Sequence, residues 1–97
     1  MSDRLQAFVR REFTDAHADM VVRRSNSLTL ANAEKQSLER IQAAVVLLTR
    51  GDVDAFEYNA RLAEKDWRDV LVFSGLGQGD WERRLDAELG TGESDPA

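Results

Sequence analysis

His17 is the one histidine of this chain, and it stands between two carboxylates in Asp15-Ala16-His17-Ala18-Asp19. A histidine paired with a carboxylate is the working part of serine-triad and general acid–base sites, because the acid fixes the imidazole tautomer. The spacing here is poor for that. On a helix only side chains three or four apart become neighbours, and residues two apart do not. No Gly-x-Ser-x-Gly elbow accompanies the histidine. Glu12, Asp15 and Asp19 share a flank of the same segment. Such a row holds a divalent cation only if another helix adds oxygen ligands. The Glu-x-x-His pairs of di-iron bundles are absent. Arg23, four residues after Asp19, favours an ordinary ion pair.

Cysteine is absent, which removes thiolate nucleophiles, disulfides and zinc or iron–sulfur ligation by sulfur. The run Gly75-Leu76-Gly77-Gln78-Gly79 has the glycine density of a phosphate cradle. It follows a helical pattern rather than a strand, lacks a lysine, and places Asp80 where an anion would sit. The expectation is therefore a non-enzyme with no catalytic residue, no cofactor and no metal. His17 with its neighbouring acids is the fallback enzymatic candidate.

Thirteen basic residues stand against eighteen acidic ones, for a net charge of −5. That balance disfavours a nonspecific polyanion binder, whose affinity comes from neutralising phosphates. Residues 1–50 hold eight basic and six acidic groups, whereas residues 51–97 hold five and twelve. The acidity belongs to the C-terminal half, and such asymmetry helps to orient a partner. Arg10-Arg11, Arg23-Arg24 and Arg83-Arg84 are the features a nucleic-acid surface would use, but each has acids close by. A helix-turn-helix reading of residues 31–65 fails on Asp52, Asp54 and Glu57, which would repel phosphate at the start of the recognition helix.

The segment Met1 to Phe13 is charged, unlike a signal peptide, and contains acids, unlike a transit peptide. The longest purely apolar run, Ala43 to Leu48, is six residues, against about 20 for a membrane span. A cytoplasmic protein is the expectation.

The elements that would position these groups read as helices. With 97 residues the chain is one domain, expected over residues 1–90 with a disordered polar tail at 91–97. Leu5, Phe8, Val9, Phe13, Ala16 and Met20 recur at helical spacing and predict one amphipathic helix over 3–23, capped by Ser2. Residues 24–29 read as a polar loop; Val21 to Leu30 could alternatively pair as a hairpin. A second long helix is predicted over 31–50, stopped by Gly51 and apolar nearly all round towards its end. Asp52 is placed to cap a helix over 53–65, with Asn59 inside its apolar stripe. Asp66 begins a short helix over 67–74, closed by Gly75. Asp80 is placed to cap the last, over 81–89. The tryptophan that follows each of these two aspartates reflects a shared start signal.

The fold class is thus all-α: a small bundle of four to five helices, two long N-terminal ones followed by shorter C-terminal ones. The function expected is that of a small interaction or accessory protein, with a protein partner or a second copy of itself. A homodimer through helix 3–23 is the working arrangement, since a domain this small gains from extra apolar burial. The candidate partner-binding residues are Phe8, Glu12, Phe13 and Trp81. A regulator that contacts nucleic acid through the arginines of the N-terminal half is the alternative.

Overall fold

A computed structural model describes residues 1–33 and 36–90. Ser2 starts the first helix as its type predicts. Its hydroxyl accepts the Leu5 N–H at 3.3 Å, and α1 runs Asp3–Glu12. The helix then stops, which corrects the single helix predicted over 3–23. Phe13 is extended (φ −124°, ψ 157°), and Thr14 is extended beside it. The Thr14 hydroxyl accepts the His17 N–H at 3.4 Å and caps a new helix, α2 (Asp15–Asn26). Threonine followed by aspartate is a start signal, and here it prevails over the continuous apolar period. The break lets the two pieces bury separate faces. Leu5 and Val9 enter the core from α1, Ala18 and Val21 from α2, and Phe13 at the joint.

No strand occurs among the described residues, so the Val21–Leu30 segment forms no hairpin; α2 simply continues to Asn26. The helix predicted from residue 31 begins later. Asn32 takes a left-handed backbone (φ 60°), and the Ser37 hydroxyl accepts the Arg40 N–H at 3.2 Å to start α3 (Leu38–Thr49). Every residue from Ile41 to Val46 is buried. Helix α3 ends in two left-handed residues, Arg50 (φ 52°) and Gly51 (φ 78°). A Cβ on Gly51 would stand 3.1 Å from the Glu12 carbonyl oxygen, so this turn admits the end of α1 only because residue 51 has no side chain.

Asp52 caps α4 (Val53–Ser74) by accepting the N–H groups of Asp54 at 2.9 Å and Ala55 at 3.4 Å. The predicted boundary at residue 66 is present as a break inside α4. Asp66 is extended (φ −157°, ψ 96°), and its carboxylate accepts the Arg68 N–H at 3.1 Å. Gly75 closes α4 in the left-handed conformation (φ 82°), with Leu76 buried beyond it. The last helix, α5, runs Trp81–Leu89. Asp80 does not cap it, contrary to expectation; its backbone is not extended (φ −93°, ψ 20°), and its carboxylate meets Arg84 Nε at 3.4 Å instead. The tail, residues 91–97, for which disorder is expected, lies outside the described residues.

The chain is all-α, with five helices among the described residues. The longest is α4, at 22 residues, while α1 and α2 are 10 and 12. The picture of two long N-terminal helices is therefore replaced by a short pair packed against an α3–α4 hairpin. The core holds Leu5, Val21, Ile41, Val45, Phe56 and Leu85. Ser25, Gln42, Thr49 and Asn59 are the polar residues buried with it, and Gln42 is the largest of the fully buried ones. Its amide donates to the Ser25 carbonyl at 3.2 Å, which satisfies the buried group and ties α3 to the end of α2.

Two arginines pin the outer helices. Arg4 of α1 reaches Glu39 at 2.7 and 2.9 Å, and also Asp86 and the Gly90 carbonyl, both at 2.6 Å. It thereby links α1, α3 and α5. Ser2 donates to the same Glu39 carboxylate. Hydrogen bonds from Arg4, and then from Ser2, hold the Glu39 carboxyl below its usual range, and the pair raises the Arg4 guanidinium. Arg24 of α2 reaches Glu64 at 2.8 Å and Glu57 at 3.2 Å on α4. Glu64 accepts the Thr29 N–H as well, at 3.0 Å. Arg24 first, and Thr29 second, hold the Glu64 carboxyl down to about 2.

Two outcomes are expected. Thr14→Ala should destabilise the protein by about 1 kcal/mol in urea unfolding, the usual cost of a lost cap. Glu64 binds its proton more weakly folded than unfolded, so its contribution to stability is present above the ordinary value of 4.5 and disappears as pH falls towards 2. Thermal melts followed by circular dichroism should show the melting temperature falling across that interval. Glu64→Gln should melt lower at neutral pH and show a shallower acid limb.

Candidate functional site

A hollow in the described surface is built by the ends of three helices. Helix α3 contributes Leu47 and Leu48 from its last turn, with Arg50 at its cap. Helix α4 contributes Phe73 and Ser74, the following loop Leu76, and α5 Arg84, Ala87 and Glu88. The groove measures about 390 Å³. That is within the range of small-ligand and side-chain pockets.

Its floor and walls follow from local structure. Leu76 is almost fully buried, because Gly75 turns the chain back onto the bundle. Arg40 holds this loop in place. Its Nε donates to the Leu76 carbonyl at 2.8 Å, while its guanidinium lies 4.6 Å from the Trp81 ring centroid. Burial lowers the Arg40 pKa from its ordinary value. On the other wall, Phe73 is 64% exposed; Val72, its exposed neighbour, lies outside the lining. An aromatic side chain left in water on the wall of a hollow is available as a contact anchor.

The charges of the groove are two arginines and one glutamate. Arg50 is exposed and has no ion-pair partner among the described residues. It also sits in a left-handed backbone conformation that disfavours any residue with a Cβ. Arg84 has one loose contact, to Asp80 at 3.4 Å. Its Nη1 lies 3.1 Å from where a Cβ on Gly75 would stand, so Gly75 leaves room for the guanidinium.

The sequence candidates lie elsewhere. Phe13 is 7% exposed and belongs to the core. Phe8 is half-buried against that core, with Arg11 5.8 Å above its ring. Glu12 is exposed, and its backbone carbonyl packs on Gly51. Trp81 is half-buried beneath Arg40. None of the four lines the groove. The apolar stripe of residues 3–23 is largely consumed inside the chain, since Leu5, Val9 and Phe13 are core residues. His17 is exposed on the first turn of α2. Asp19 pairs with Arg10 at 2.9 Å rather than with Arg23, because the break at Phe13 folds α1 beside α2. Among the described residues no cluster of three His, Asp or Glu is placed to hold a metal ion, and no helix is long and apolar enough to cross a membrane.

Comparison with known proteins gives no relative: no family model, no curated protein and no solved structure matches this chain.

Sequence reasoning passed over Phe73, Val72 and Arg50, and took Arg84 only as half of an arginine pair that a nucleic-acid surface would use. A signal for the first two was present. With Trp67, Val70, Leu71 and Ser74 on one face of the short helix, Val72 and Phe73 must fall off it. Arg50 carried a signal as well, since it precedes the expected stop at Gly51. Arg50→Gly should relieve the left-handed backbone and stabilise the fold by about 1 kcal/mol, read as a higher urea midpoint.

Proposed function

We propose that this chain is a small helical interaction protein that holds a protein partner in the groove between α3, α4 and α5. The observation that carries the reading is Phe73, a large aromatic side chain left 64% exposed on the wall of that groove. Apolar side chains that add nothing to the chain's own core are available to a partner's, and aromatic anchors dominate the energetics of such contacts. Arg40 supports the floor of the groove from behind through the Leu76 carbonyl and the Trp81 ring.

The burial of Leu5, Val9 and Phe13 moves the expected contact surface away from residues 3–23. The nucleic-acid alternative is weakened by the same structure, because Arg4, Arg10 and Arg24 are already engaged by carboxylates.

Affinity purification from the native cell tests the reading. The wild-type chain is expected to retain a specific protein that Phe73→Ser loses, with the circular dichroism melt of the variant unchanged. Identical co-eluting proteins for both chains would overturn it.

A further inference from the structure

Resting on that reading, we propose that the occupant of the groove is an acidic, apolar segment of another protein: a bulky apolar side chain seated between Leu47, Leu48 and Phe73, with a carboxylate beside it facing Arg50 and Arg84. Charge complementarity carries the argument. Of the three charged residues that line the groove, two are arginines. Among the described residues Arg50 has no ion-pair partner, and Arg84 has one, a loose, exposed contact at 3.4 Å. Both guanidiniums therefore keep hydrogen-bond donors for a ligand, in the planar fork that suits a carboxylate.

The setting sharpens this. The chain carries a net −5 and its second half −7, so these cations stand out against an acidic background. An acidic segment is repelled by the C-terminal half as a whole and attracted at these two arginines, which gives it register. A second copy of the chain is disfavoured by the same charge. Glu88 is the one carboxylate of the lining. It repels the acidic end of the segment and so fixes which way round the segment lies.

A random peptide library displayed on phage, panned against the full chain, is the probe. Enriched peptides are expected to join Asp or Glu to Phe, Leu or Trp. Synthetic copies of them should lose about tenfold in affinity with either Arg50→Gly or Arg84→Gln, by fluorescence anisotropy. Arg50→Gly relieves backbone strain, so its loss of binding cannot be put down to misfolding. Panning the Arg50→Glu, Arg84→Glu double variant should switch the enriched charge to Lys and Arg. Three results would overturn the proposal: no enrichment, enrichment of basic or uncharged peptides on the wild-type chain, or a dimer by sedimentation velocity that Phe73→Ser dissolves. If the cellular partner depends on Phe73 but not on either arginine, the groove still binds a protein and only its acidic character is wrong.

Discussion

A helix with six consecutive buried residues cannot be covered from one side. Helix α3 imposes that demand on the rest of the chain, from Ile41 through Val46. Two of those six are alanines, Ala43 and Ala44, which allow neighbouring backbones to come near. Helix α4 folds straight back along α3 after a tight turn and supplies Phe56, Ala60 and Ala63. The remaining cover comes from short pieces, because no single straight helix can wrap another. The break at Phe13 and Thr14 is best understood this way. It turns one amphipathic segment into two, each able to lie at its own angle on the central hairpin.

Polar interactions then select among the ways of closing that cover. Apolar contact alone is tolerant of sliding. Gln42 fixes α3 against the end of α2 through the Ser25 carbonyl, and Arg4 gathers α1, α3 and α5 at Glu39 and Asp86. Arg24 does the same for α2 and α4. The pins lie where elements of distant sequence meet, and Arg40 supplies one beneath the floor of the groove. Its arginines differ from the pinning ones less in chemistry than in having been left without a carboxylate or with a loose one.

Much of this was legible in the residues. The α-helical class, Ser2 as a cap, the stops at Gly51 and Gly75, and the boundary at Asp66 all follow from local chemistry that acts within a turn. Helix starts at Thr14 and Ser37 were hidden, because apolar spacing continues across one and a helix-compatible run precedes the other. Asp80 shows the opposite failure, a good capping residue whose backbone is not extended. The groove was the least legible part. Its lining comes from three separate stretches, and only the tertiary fold makes neighbours of Leu48, Phe73 and Arg84. Phe8 and Phe13 looked like partner contacts for an equally physical reason: an amphipathic stripe has the same appearance whether it faces its own chain or another.

The break at Asp66 has a consequence for how the molecule comes apart. Backbone hydrogen bonds make a helix cooperative, and a residue in extended geometry interrupts the ladder that would pass an opening from one half to the other. The first half of α4 is sealed by Phe56, Ala60 and Ala63 and tethered by Arg24. The second half leans on Val70, Leu71 and one indole bond, from Trp67 to the Ala31 carbonyl at 2.8 Å. It is a smaller unit with its own lower opening free energy. Phe73 rides on that unit, so the wall of the groove can loosen and reset while the hairpin beneath it stays folded.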